Sequence, residues 1–94
     1  MCRTQTMAFL RKKGEILMLP RIDMGLTGSN IARLRRNSGL TVRDVQDVLG
    51  FSTPQAIFKW QRGDCLPTVD NLVILAKLFH VTVNDILIVV DDDR

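Results

Sequence analysis

The feature that most limits what this chain can become is a helix-start signal repeated along it. Threonine opens five short segments: "TGSN" at Thr27, "TVRD" at Thr41, "TPQA" at Thr53, "TVDN" at Thr68 and "TVND" at Thr82. A threonine oxygen at an N-cap accepts from an amide that the first helical turn leaves unpaired. Asp44 and Asp85 stand three places after their threonines, where a carboxylate closes a capping box and favours the positive end of the helix. Pro54 follows Thr53, at the first helical position, where a missing N–H costs nothing. Stops fall where such helices should end. Gly39, Gly50 and Gly63 each follow a short apolar-periodic segment, as left-handed C-cap residues do. The fourth segment ends at His80; histidine tolerates the left-handed conformation and, as a cation, suits a helix C-terminus. The single histidine of the chain therefore reads as a helix terminator, not as a ligand or a catalytic base.

Between starts and stops the apolar residues recur at helical spacing. Ile31 and Leu34 mark the first helix, and Val45, Val48 and Leu49 the second. Ile57 and Trp60 mark the third, Leu72, Leu75, Ala76 and Phe79 the fourth, and Ile86 and Leu87 the start of a fifth. The expectation is an all-α chain of five short helices joined by tight turns. Two apolar runs, "EILMLP" (Glu15–Pro20) and "DILIVV" (Asp85–Val90), are candidate terminal strands that could pair within a chain or between chains. Alternatively the fifth helix continues into the second run. The expected organisation is an N-terminal arm over 1–23, with 1–14 lacking fixed structure, a helical domain over 24–90 and an acidic tail over 91–94.

Length and composition narrow the function. Ninety-four residues make one domain, which buries roughly 60–65% of its unfolded surface and leaves little room for a deep catalytic cavity. Cys2 and Cys65 are far apart and in no paired motif, which excludes a disulfide scaffold or a zinc knuckle and suits a reducing cytosol. The basic opening is interrupted by Arg11, Lys12 and Lys13 before a secretory signal can form, and "ILIVV" is too short to cross a bilayer. No cofactor, metal or membrane partner is expected. The net charge of +3 conceals a gradient: residues 1–36 carry eight Lys/Arg against two Asp/Glu, and residues 64–94 carry two against six. A basic face attracts polyanions. The "DDDR" terminus reads as a solvated acidic run.

Placing Pro54–Gln61 on a helix at roughly 100° per residue sets Ile57 and Trp60 on one side, with Ala56 beside them. Gln55, Phe58 and Lys59 fall on the other. Tryptophan is then core, and the outward trio is an amide, an apolar ring and an ammonium. Gln55 and Lys59, four apart, are surface neighbours. Glutamine can bond adenine N6/N7, lysine can donate to guanine O6/N7, and an apolar group can rest on a thymine methyl. An outward Phe58 wants a cover: DNA, another subunit or a neighbouring loop.

From Asn30 to Leu87 the residues "NIARLRRNSGLT", "VLGFS", "AIFKWQRGDCLPTVDNLVILAKLF" and "VTVNDIL" resemble the Cro/phage-repressor, or XRE-type, helix-turn-helix family. The resemblance covers about two thirds of the chain. It implies a compact five-helix bundle of the lambda-repressor-like type whose third helix enters the major groove of double-stranded DNA, usually as a homodimer on a two-fold site. Matched residue by residue, it implies that Gln55, Ala56 and Lys59 read bases, with Phe58 beside them. It further implies that Arg62, together with Thr41, Arg43, Thr53 and Arg36, contacts phosphates. Departures are equally visible. Pro54 and Val42 stand where the family often has polar contact residues. Gln46 replaces a usual alanine, so looser packing of the second helix on the third is expected. The turn is one residue longer at Phe51–Ser52. Of Arg33, Arg35 and Arg36 on the first helix, Arg33 reads as wetted surface.

Two functions remain. The first is a sequence-specific DNA-binding transcription regulator of repressor type. The second is a protein-interaction module on the same scaffold, antitoxin-like or an adaptor, whose Phe58 and "ILIVV" meet a protein partner. An enzyme fits poorly, because no nucleophile–base pairing and no phosphate-cradling glycine loop is visible.

Overall fold

The computed structural model describes residues 18–93 and contains five helices and two short strands in the order β1 (Met18–Ile22), α1 (Met24–Asn37), α2 (Val42–Leu49), α3 (Gln55–Arg62), α4 (Val69–Phe79), α5 (Val83–Ile86) and β2 (Val89–Asp93). The arm expected to lack fixed structure, 1–14, lies outside the described residues, as do Glu15–Leu17 of the first apolar run.

Two helices start as their threonines foretell. Thr41 Oγ1 accepts from the Asp44 amide at 3.0 Å, and the Asp44 carboxylate accepts from the Thr41 amide at 2.9 Å. The same box closes α5 between Thr82 and Asp85, at 3.2 and 3.0 Å. Each returned bond favours the ionised acid, so the backbone amides of Thr41 and Thr82 are the main reason that Asp44 and Asp85 ionise below the usual aspartate range. The stops hold as well: Gly39, Gly50, Gly63 and His80 all have positive φ, with His80 at 60°.

The other three starts differ from expectation. Thr27 does not cap α1. The helix begins at Met24, and its cap is Asp23, whose Oδ1 accepts from the Leu26 amide at 2.8 Å. Thr27 is one turn inside and fully buried. Thr53 does not cap α3, which begins at Gln55 with Pro54 in the cap position and no side-chain cap bond; the Pro54 carbonyl accepts the first helical bond, from Phe58, at 3.1 Å. Thr68 sits at the α4 cap, but its hydroxyl donates to the Asp70 carboxylate instead of accepting from an amide.

The terminal runs do pair, within the chain, but displaced from where their composition put them. β1 and β2 run antiparallel, with Met18 opposite Asp93 and Ile22 opposite Val89. Asp85 and Ile86 belong to α5, while Asp91–Asp93 of the acidic run are strand residues. α5 does not continue because Leu87 turns extended (φ −80°, ψ 130°), and α1 then takes hold of the chain. The Asp23 amide donates to the Ile88 carbonyl at 2.8 Å, and the Ile88 amide donates to Thr27 Oγ1 at 2.9 Å. The Asn30 amide group donates to the carbonyls of Asp85 and Ile86 at 2.8 and 2.9 Å. These are the only two buried polar residues among the described ones, and both are spent on tying α1 to the end of the fold.

The core gathers Ile31 and Leu34 from α1, Val45 from α2, Ile57 and Trp60 from α3, Leu72, Leu75, Ala76 and Phe79 from α4, and Ile86 from α5. Val48 is the exception among the expected core positions; it is 53% exposed, beside Val73 and Ile74 in an apolar groove between α2 and α4. α1 crosses α3 at Gly28, where a Cβ would lie 2.2 Å from the Trp60 carbonyl oxygen. Only hydrogen at that position lets the two backbones come so near.

Candidate nucleic-acid interface

The core holds α3 by one side only. Ile57 and Trp60 are buried, whereas Gln55, Phe58, Lys59 and Arg62 are exposed and Ala56 is half-buried. At roughly 100° per residue the outward direction passes through Gln55, with Lys59 and Arg62 close on either side and Phe58 toward α2. The outward trio expected from the sequence is thus present, joined by Arg62.

What fixes this orientation is a set of contacts made by neighbouring elements. Arg35 of α1 donates to Gln61 Oε1 of α3 at 3.1 Å and to the Leu40 carbonyl at 2.8 Å. Phe51, in the α2–α3 turn, meets the Trp60 ring edge-on at 5.9 Å and 66°, an arrangement that aromatic quadrupoles favour. Gln46, expected to loosen α2 against α3, is bonded to the turn between them. Its carbonyl accepts from the Phe51 amide at 3.1 Å and its side-chain amide donates to the Phe51 carbonyl at 3.2 Å. The longer turn is thereby closed from both sides.

Grooves flank α3. One, of about 630 Å³, is lined by residues that include Thr53, Gln55, Ala56, Lys59 and the half-buried Cys65. The other, of about 490 Å³, lies toward α2 and is lined by Val42, Arg43, Gln46, Ser52, Pro54 and Phe58.

The expected phosphate contacts divide. Thr41 spends its hydroxyl as an acceptor in the α2 cap. Arg43 lies over Asp47 at 3.4 Å, with both side chains mostly in solvent. Arg62 pairs with Asp64 at 2.9 Å, also exposed. Thr53 is exposed on the first groove. Arg36 is exposed in the last turn of α1 and lines neither groove. Arg33 is exposed, as its reading as wetted surface expected, and is bonded along its own helix to Asn30 Oδ1. Exposed ion pairs of this kind are worth about 0–1 kcal/mol, so Arg43 and Arg62 can exchange their carboxylates for another anion at little cost. Among the described residues no group of three His, Cys, Asp or Glu could hold a metal ion, and no helix is long and apolar enough to cross a membrane.

Gln46, Gly28 and Arg35 have roles in holding α3 that sequence reasoning did not assign to them. Gln46 carried a signal, a polar residue at a helix–helix seam, but its partner is a backbone carbonyl that no pattern names.

Comparison with known proteins agrees with this geometry. A family model described as "Helix-turn-helix" matches residues 31–86. The uncharacterized HTH-type transcriptional regulator y4dJ of Sinorhizobium fredii (strain NBRC 101917 / NGR234) is 46% identical over 57 residues, which span 61% of this chain and 73% of that protein. Among solved structures, the restriction-modification controller protein C.AhdI from Aeromonas hydrophila superposes with a TM-score of 0.61 at 19% identity, over 68% of this chain and 96% of that one. The DNA-binding domain of BldD gives 0.59 at 24% identity, over 70% and 94%. At such identities the structures speak for the fold, and the family match for the lineage. The chain belongs to the XRE-type helix-turn-helix family of DNA-binding transcriptional regulators.

Proposed function

We propose that this chain is a sequence-specific regulator of repressor type, acting in the cytoplasm as a homodimer, that sets α3 in the major groove of double-stranded DNA. The observation that carries the reading is the shared outward side of α3, where Gln55, Lys59 and Arg62 stand over a helix whose opposite side is locked into the core. In this reading Gln55 bonds adenine N6/N7 and Lys59 donates to guanine O6/N7. Ala56 and Phe58 contact the base edges by shape. Arg43 and Arg62 turn from their aspartates to phosphates, with Thr41, Thr53 and Arg36 as further backbone contacts that set affinity but carry no sequence information.

Selection of bound duplexes from a random DNA pool tests it. The expected result is a two-fold motif with half-sites about ten base pairs apart. On that duplex Gln55→Ala or Lys59→Ala should lose about 1–3 kcal/mol and blur base preference, whereas Arg62→Ala should weaken all duplexes alike and reduce the salt slope by about one. Enrichment of no motif would refute the reading.

One observation favours a protein contact as well. Val48, Val69, Val73 and Ile74 are exposed around α2 and α4. A partner that co-purifies through this face, and is lost with Val73→Ser, would place an adaptor function beside DNA binding.

A further inference from the structure

The groove between α2 and α3 lies on the other side of α3 from the one beside Gln55 and Lys59. Phe58, Val42 and Pro54 line it beside Ser52, Gln46 and Arg43, and Phe58 is a large ring left 38% exposed on the side of α3 away from the core. Its one carboxamide, Gln46, has already given an N–H to the Phe51 carbonyl. Its rim carries Arg43, a cation held only by a solvent-exposed aspartate. At about 490 Å³ the groove is larger than a methyl group and admits the edge of a base. An apolar wall beneath a cationic rim matches one feature of duplex DNA: the C5-methyl of a pyrimidine, which projects into the major groove beside the phosphates of its own strand.

We propose that Phe58, backed by Val42 and Pro54, is a specificity-determining residue that selects a pyrimidine C5-methyl group at one position in each half-site. The inference rests on the reading of α3 as the major-groove helix and adds to it an apolar reader on the α2 side of Gln55 and Lys59. The methyl can come from thymine or from 5-methylcytosine.

The test uses the duplex recovered from the random pool. Deoxyuridine replaces each thymine singly, which removes the methyl and nothing else; in a second series 5-methylcytosine replaces each cytosine. Binding is measured for the wild type, Phe58→Ala and Phe58→Leu, with each variant's thermal transition confirming its fold. Wild-type binding should fall about fourfold at one thymine per half-site when its methyl is removed, the factor that burying one methyl is worth. Phe58→Ala should bind the thymine and uracil duplexes equally, and Phe58→Leu should retain part of the difference. A rise of similar size on cytosine methylation, with no thymine sensitive, would assign the groove to 5-methylcytosine. If neither series changes binding, or if Phe58→Ala discriminates as the wild type does, the methyl-reading role is wrong while the α3 reading survives. Failure to bind any duplex would overturn both, and is told apart by that.

Discussion

The substitution Gly28→Ala sets two ordinary rules against each other, and the structure decides between them. In the interior of a helix, alanine is favoured over glycine by about 1 kcal/mol. Taken alone, that rule predicts a more stable protein. At Gly28, however, the new Cβ would lie 2.2 Å from the Trp60 carbonyl oxygen and 2.8 Å from that of Gln61. Both are backbone atoms of α3 and cannot rotate away. To reach 3.0 Å, below which real Cβ contacts essentially do not occur, α1 and α3 must part by about 0.8 Å at their crossing. Overpacking of this kind costs about 1–3 kcal/mol and occasionally more, and here it also pulls Ile31 away from Ile57 and Trp60 in the core. Because both opposing atoms are backbone, the upper end of that range applies, and the expected net loss is about 2 kcal/mol after the propensity gain. Gly25→Ala is the control on the same helix. Its Cβ would meet only Asp23 Oδ1 at 3.6 Å, an ordinary contact, so it should be neutral or slightly stabilising. Urea denaturation reads both, with m unchanged, the Gly28→Ala midpoint lowered and the Gly25→Ala midpoint unchanged or slightly raised. Because α3 carries the outward residues, folded Gly28→Ala protein should also bind the selected duplex more weakly. A Gly28→Ala midpoint at or above the wild type would refute the close-crossing argument.

Thr27→Val keeps the side-chain volume but leaves the Ile88 amide without its acceptor; a loss of about 1–2 kcal/mol is expected, with faster hydrogen exchange at Ile88 as the specific readout, and unchanged exchange would count against the bond. Asp44 and Asp85 ionise below the ordinary aspartate value of 3.8, chiefly through the Thr41 and Thr82 amides. A depressed carboxylate contributes stability above the unfolded value that is lost as pH falls through the folded one. The melting temperature should therefore drop below about pH 4, and the difference between wild type and an Asp44→Asn, Asp85→Asn double variant should shrink there; a pH-independent difference would contradict this. Asp64→Asn removes the carboxylate that competes for Arg62, so affinity for all duplexes should rise roughly two- to fivefold at low salt, the range of an exposed pair, with weaker binding as the refuting result.

How much of this was legible in the chain depended on whether a signal was local. Thr41 with Asp44, Thr82 with Asp85, and the stops at Gly39, Gly50, Gly63 and His80 act within a few residues, and the structure has them all. The start of α1 was misread because "MGLTG" places two glycines where a helix interior disfavours them. Gly28 is there for α3, more than thirty residues along. Thr27 and Asn30 resemble helix-start residues, yet their partners lie 55–61 positions away at Asp85, Ile86 and Ile88. Tertiary demands of this sort leave no periodic trace. Val48 keeps the helical rhythm of a core position but falls at the edge of α2, over the groove shared with α4. The outward side of α3 was readable because it needed only Ile57 and Trp60 to face inward.

The antiparallel pairing of β1 with β2 has a mechanical consequence. With Met18 set opposite Asp93, a tether attached at those two residues pulls along the inter-strand hydrogen bonds, which run perpendicular to antiparallel strands. The ribbon is then loaded as a zip and yields rung by rung at low force. Only when Ile22 and Val89 part does tension reach Asp23 and Ile88, and through them the helices. A stretching trace should show a gentle peel and then one abrupt rip.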